Sequence, residues 1–126
     1  MKQATPDPGP DQGQDDHLWR LEEALWTSGR DSARTVTDAG AILILPYPDG
    51  ILQGDPAQAQ LPANTGWRLV EMDNRTVMRR GTVAVLAYRV RAEKAEVPIF
   101  AALCASTWLK DAGTWLRVSH QHTPVG

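Results

Sequence analysis

From residue 67 onward the sequence alternates apolar and polar side chains with a period of two, in four long runs: 67–79, 83–93, 99–110 and 115–123. Short polar or glycine-bearing breaks separate the runs, so the pattern predicts an antiparallel meander of four strands. Strands this long twist and coil, which predicts an open cone rather than a flat layer. Ahead of residue 67 the period is helical. Leu18, Leu21 and Leu25 recur on one stripe, Asp15 or Asp16 can cap the helix, and Gly29 can supply a left-handed residue after its end near Ser28. Trp19 and Trp26 lie beside that stripe, so the helix is apolar over a wide arc.

Asp31 can cap a second, short helix ending before Gly40, and the run 41–45 reads as a buried strand. Pro46, Tyr47, Pro48, Asp49 and Gly50 form a turn, because proline presets φ and glycine tolerates positive φ. Asp55 followed by Pro56 predicts a third helix to about Leu61. Helices followed by strands make the expected class α+β: N-terminal helices in residues 15–62 packed on a curved antiparallel sheet in residues 65–124.

A chain of 126 residues is one domain in size. Residues 1–14 hold three prolines and two glycines among polar companions, which predicts a disordered leader and a folded domain over 15–126. With 13 basic and 15 acidic side chains the net charge is −2, too little field to gather nucleic acid. The single cysteine, Cys104, forms no internal disulfide, and no apolar signal segment follows a basic start, so a cytoplasmic location is expected. The longest apolar run, 41–45, falls far short of the roughly 20 residues that span a bilayer, so no membrane segment is expected.

The stretch Gly113, Thr114, Trp115, Leu116, Arg117, Val118, Ser119, His120, Gln121, His122, Thr123 resembles the last strand of nuclear transport factor 2-like proteins. Leu21, Glu22, Leu25 and Trp26, the Leu52-Gln53-Gly54 step and residues 84–91 are similar to the SnoaL-like branch and its domains of unknown function. The resemblance covers residues 16–124 and implies a cystatin-like cone. It implies little about activity, since that superfamily hosts isomerases, cyclases, dehydratases, binding modules and oligomerisation domains. It also implies which face lines the cone: Leu86, Tyr88 and Val90; Cys104, Ser106 and Trp108; Leu116, Val118, His120 and His122. Arg89 and Arg91 then face outward. The steroid-isomerase-like members set an inward carboxylate base opposite a phenol, and the inward parity of these three strands holds no Asp or Glu. The arginines that bind carboxylates in association domains fall here on Val90, Ser106 and His122.

His120 and His122 project side by side on one face, where a proton shuttle, hydrogen bonding to an anion or carbonyl, and metal ligation are the functional roles. The plain alternative is a hydrogen-bonded pair at a strand end. No metal site is expected, because two histidines, with His17 distant in sequence, do not make the three or four ligands a site needs. Tyr88 with Trp108 offers a phenol beside an indole that could orient a small ligand, or simply two large core residues. Ser106 has no nucleophile signature. Glu22 and Glu23 sit mid-helix, Glu23 close to Trp19 and Trp26, where a buried carboxylate with a raised pKa would be the missing acid or base and solvated carboxylates are the common case. Cys104 reads as a small buried hydrophobe.

These residues predict a pocket lined by Tyr88, Ser106, Trp108, His120, His122, Trp19 and Trp26 for a small apolar or carbonyl-bearing molecule. If catalysis occurs, it would be cofactor-independent acid–base chemistry, with His120 as base and Tyr88 as donor. The alternative is a non-catalytic dimerisation or scaffold domain. A homodimer is expected in either case, formed through Val83, Val85, Ala87, Ala101, Leu103 and Ala105 on the outer sheet face.

Overall fold

The computed structural model of the chain describes residues 10–46, 50–60, 67, 69–96 and 98–125. Helix α1 spans Pro10–Thr27, with proline at its first position, where the missing N–H costs nothing. The helix therefore starts ahead of the expected caps, Asp15 and Asp16, and takes in residues 10–14 of the expected leader; residues 1–9 lie outside the described residues. Among the described side chains of α1, Leu18, Trp19, Glu22 and Leu25 are buried, while Leu21 is only partly buried. Asp15 ties the helix to the sheet through Arg79, with Nε 2.7 Å from its carboxylate.

Gly29 is extended (φ −80°, ψ −179°) and precedes α2, Arg30–Thr35. It is therefore the N-cap of α2 and not a left-handed end of α1, and Asp31 sits inside the first turn. Strand β1 spans Thr37–Ile44, strand β2 Ile51–Gln53, and helix α3 Asp55–Ala59, which Gly54 precedes with φ 69°. Strand β2 was not foreseen. The expected turn at Tyr47, Pro48 and Asp49, and the expected end of α3 at Leu61, lie outside the described residues.

Strands β3 (Leu69–Arg80), β4 (Val83–Glu93), β5 (Phe100–Asp111) and β6 (Thr114–Pro124) form the predicted antiparallel meander. The sheet order is β2-β1-β6-β5-β4-β3. Here β1 runs parallel to β6, so the sheet is mixed rather than wholly antiparallel. Register shifts in the β1–β6, β3–β4 and β5–β6 pairings mark bulges, which increase local twist and curve the sheet around α1.

Period-two burial on β4 and β5 turns Ala84, Leu86, Tyr88, Val90, Ala102, Cys104, Ser106 and Trp108 inward. On β6 the expected parity holds only in part. Thr107 pairs with Ser119 and Trp108 with Arg117, leaving Val118 as the extra residue of a bulge. His120 and His122 pair with the inward Ser106 and Cys104, as expected, but beyond the bulge the inward residues are Arg117 and Trp115. Leu116 pairs instead with the outer Leu109, so the inward places expected for Leu116 and Val118 are corrected.

The β5–β6 turn has two residues between the paired Asp111 and Thr114, both at positive φ: Ala112 at 51° and Gly113 at 83°. Glycine adopts this conformation freely, whereas alanine is strained in it. Replacing Ala112 with Asn, which tolerates positive φ, is expected to stabilise the protein by about 1 kcal/mol and raise the melting temperature by roughly 4 °C. Differential scanning calorimetry checks this.

Candidate functional site

The centre of the molecule is a carboxylate. Glu22 occupies the helical position between Leu18 and Leu25 (i+4 and i−3), so the stripe that packs on the sheet carries it inside, where it is 0% exposed. Four donors converge on it. Its Oε2 accepts from Tyr88 Oη at 2.6 Å, Ser106 Oγ at 2.6 Å and Arg117 Nη1 at 3.3 Å, and its Oε1 accepts from Trp108 Nε1 at 2.8 Å. Among the described residues no buried side-chain polar atom lacks a partner.

An ionised carboxylate only accepts, which fixes the protons of its neighbours. Ser106 gives its proton to Glu22, so its oxygen accepts from Arg117 at 3.4 Å and from His120 Nδ1 at 2.7 Å. His120 then carries its proton on Nδ1, and its Nε2 accepts from His122 Nδ1 at 3.3 Å. The chain of bonds runs from the buried Glu22 to the half-buried His122. Tyr88 is likewise saturated, accepting from Trp26 Nε1 at 2.9 Å while donating to Glu22.

Burial alone would push the Glu22 carboxyl up. The Arg117 guanidinium, with help from the nearby His120 ring and the Ser106 hydrogen bond, overrides it and holds the group well below its ordinary 4.5. Burial, then the adjacent Glu22 charge, drives the Tyr88 phenol far above its ordinary 10. Burial and the Arg117 charge lower His120 to about 4 despite the pull of Glu22, so the 3.6 Å approach of its Nδ1 to the carboxylate is a contact with neutral imidazole. His122 is lowered for the same two reasons. The Cys104 thiol is pushed up to about 12, chiefly by burial, consistent with a small apolar core residue.

The residues picked out from sequence thus come together, around a group the sequence reading left in solvent. Tyr88, Ser106, Trp108 and His120 surround Glu22, and Trp19 packs edge-on against Tyr88 at 5.7 Å. Trp26 lies 6.2 Å from His120 and 5.9 Å from His122, and Phe100 completes the cluster at 6.0 Å from Trp26 and 5.8 Å from His122. Glu22 was read as solvated, and Arg117 and Phe100 were missed. Glu22 could have been found, since it stands four and three residues after Leu18 and Trp19 and three and four before Leu25 and Trp26, midway between the leucine stripe and the tryptophans. Arg117 carried no signal, because its inward place depends on the bulge at Val118.

A groove of about 500 Å3 lies apart from this cluster, beside the first turns of α1, and His17 lines it rather than joining the other histidines. Among the described residues no group of three or more His, Cys, Asp or Glu side chains is placed to hold a metal ion.

No family model matches the sequence, and no curated protein matches it. Solved structures do. A ketosteroid isomerase candidate from Parabacteroides distasonis has a TM-score of 0.74 at 16% identity, over 99% of this chain and 94% of that one. The association domain of C. elegans CaMKII has a TM-score of 0.71 at 18% identity, over 94% and 99% of the two chains. An NTF2-like protein of unknown function from Pseudomonas putida has a TM-score of 0.72 at 12% identity, over 88% and 86%. The chain has the nuclear transport factor 2-like fold, and at these identities the likeness concerns the fold alone.

Replacing Glu22 with Gln removes the charge that pairs with the buried Arg117. The expected loss is about 3–5 kcal/mol, the usual cost of breaking a buried pair from one side. Chemical denaturation measures it. Stability is also expected to depend on pH. Between 6.5 and about 4 the unfolded chain binds the proton that folded His120 refuses, so stability falls as pH falls through that window. The depressed Glu22 adds stability above its ordinary 4.5 that is lost below it. Urea midpoints from pH 7 to 4 should therefore decline, and the decline above pH 4.5 should be shallower in His120→Gln.

Proposed function

We propose that this domain is a non-catalytic association module that pairs two copies through the outer face of β3, β4 and β5. The observation that carries this reading is the apolar surface there. Leu103 is 53% exposed and Met78 58%, and Val83 and Leu109, paired across β4 and β5, are also exposed. Ala87 and Ala105 form another cross-strand pair on the same face, small enough to let a second sheet approach closely. Beside them Arg89 and Arg91 pair across strands with Asp73 and Glu71, a charged margin to an apolar centre. A sheet face that leaves Leu103 and Met78 in solvent has reason to be covered. The likeness to an association domain agrees with this use of the fold.

The interior supports the non-catalytic half of the reading. A general base works best with a pKa near the working pH, and Glu22 is held far below that while Tyr88 is driven far above it. Both are already bonded to each other and to four further side chains, so proton transfer to a substrate would have to dismantle the cluster.

A second reading keeps a small apolar or carbonyl-bearing ligand against Trp26, Phe100 and His122. Its support is that these rings are only partly buried, and that His122 Nε2 is not used in the relay. Neither reading involves a membrane span, and no described helix is long and apolar enough to cross one.

Sedimentation velocity at micromolar protein is expected to give a dimer. Leu103→Asp should weaken the association constant by tenfold or more, about 1.4 kcal/mol, without changing the circular dichroism spectrum. A wild-type protein that stays monomeric would overturn the association reading.

A further inference from the structure

The groove beside the start of α1 is independent of the Glu22 cluster and of the outer sheet face. We propose that it is a binding site for a small monocarboxylate with a flat apolar body. Its floor is Leu21, Val36 and Trp115, contributed by α1, the residue after α2, and β6. Its rim carries Gln14, His17 and Lys110. A volume of about 500 Å3 suits a molecule of one or two rings.

The rim chemistry selects the ligand. The Lys110 ammonium has three donors, and it uses them sparingly: Nζ reaches Gln14 Oε1 at 3.4 Å and stands 5.7 Å from the Trp115 ring centre. Among the described residues no carboxylate pairs with it, and the His17 imidazole has no hydrogen-bond partner. A cation with spare donors beside an open imidazole attracts an anion. An inorganic anion would leave the Leu21, Val36 and Trp115 floor bare, whereas a carboxylate on an aromatic or aliphatic body covers it and seats its charge on Lys110.

Benzoate is the probe. A 1H–15N NMR titration of the whole chain is expected to show saturable shifts at Lys110, Thr114 and the Trp115 indole N–H. Benzyl alcohol, which has the body without the charge, and inorganic phosphate, which has the charge without the body, should each bind at least about tenfold more weakly. Lys110→Met should weaken benzoate by a similar factor, and His17→Gln, an exposed change on α1, tests the rim where the first variant fails to fold. No saturable shift at millimolar benzoate overturns the proposal. So does equal binding of phosphate, which would mark a simple anion site, and so does undiminished benzoate affinity in both variants. Shifts confined to Trp26, Phe100 and His122 would place the ligand at those rings and equally overturn it. None of these results bears on the dimer.

Discussion

A charge with no water around it has to be matched by the protein, and Glu22 imposes that demand on the whole fold. The carboxylate comes from α1, and its donors come from β4 (Tyr88), β5 (Ser106, Trp108) and β6 (Arg117). Misplacing any one of these elements leaves a buried polar group unpaired, at a cost of about 1–3 kcal/mol or more for a charged one. The cluster therefore fixes the rotation of α1 about its axis and its height over the sheet, which apolar contacts alone specify loosely.

The same demand explains the irregularity in β6. In a regular strand residues 117 and 120 would point to opposite faces, because their spacing is odd. The extra residue at Val118 puts both inside, so that the Arg117 guanidinium meets Glu22 while His120 meets Ser106. A bulge is an economical way to re-aim one side chain without moving the rest of a strand. The counter-ion that keeps Glu22 ionised is thus available only because the strand breaks its own alternation.

Much of this architecture was legible. Two-residue alternation located the four long strands, the family resemblance put Tyr88, Ser106 and Trp108 on the inward face, and the order of helices and strands gave the class. What the sequence concealed has physical reasons. A glutamate at helical spacing from Leu18 and Leu25 looks like a solvated neighbour of the stripe until its partners, drawn from residues more than sixty positions away, are assembled around it. The bulge leaves no local mark, since Val118 is an ordinary strand residue. Gly29 is equally at home ending one helix or starting the next, and only the chain path decides. The parallel pairing of β1 with β6 is a long-range choice that no local pattern encodes.

The fold is organised around Glu22 ionised in its interior, and the 13C chemical shift of the Glu22 carboxyl carbon, followed through a pH titration, reads that state directly. An ionised shift at neutral pH that persists unchanged down to the acid unfolding transition is the predicted result. A carboxyl that is protonated at neutral pH, or that titrates near or above its ordinary 4.5 while the protein remains folded, would contradict it.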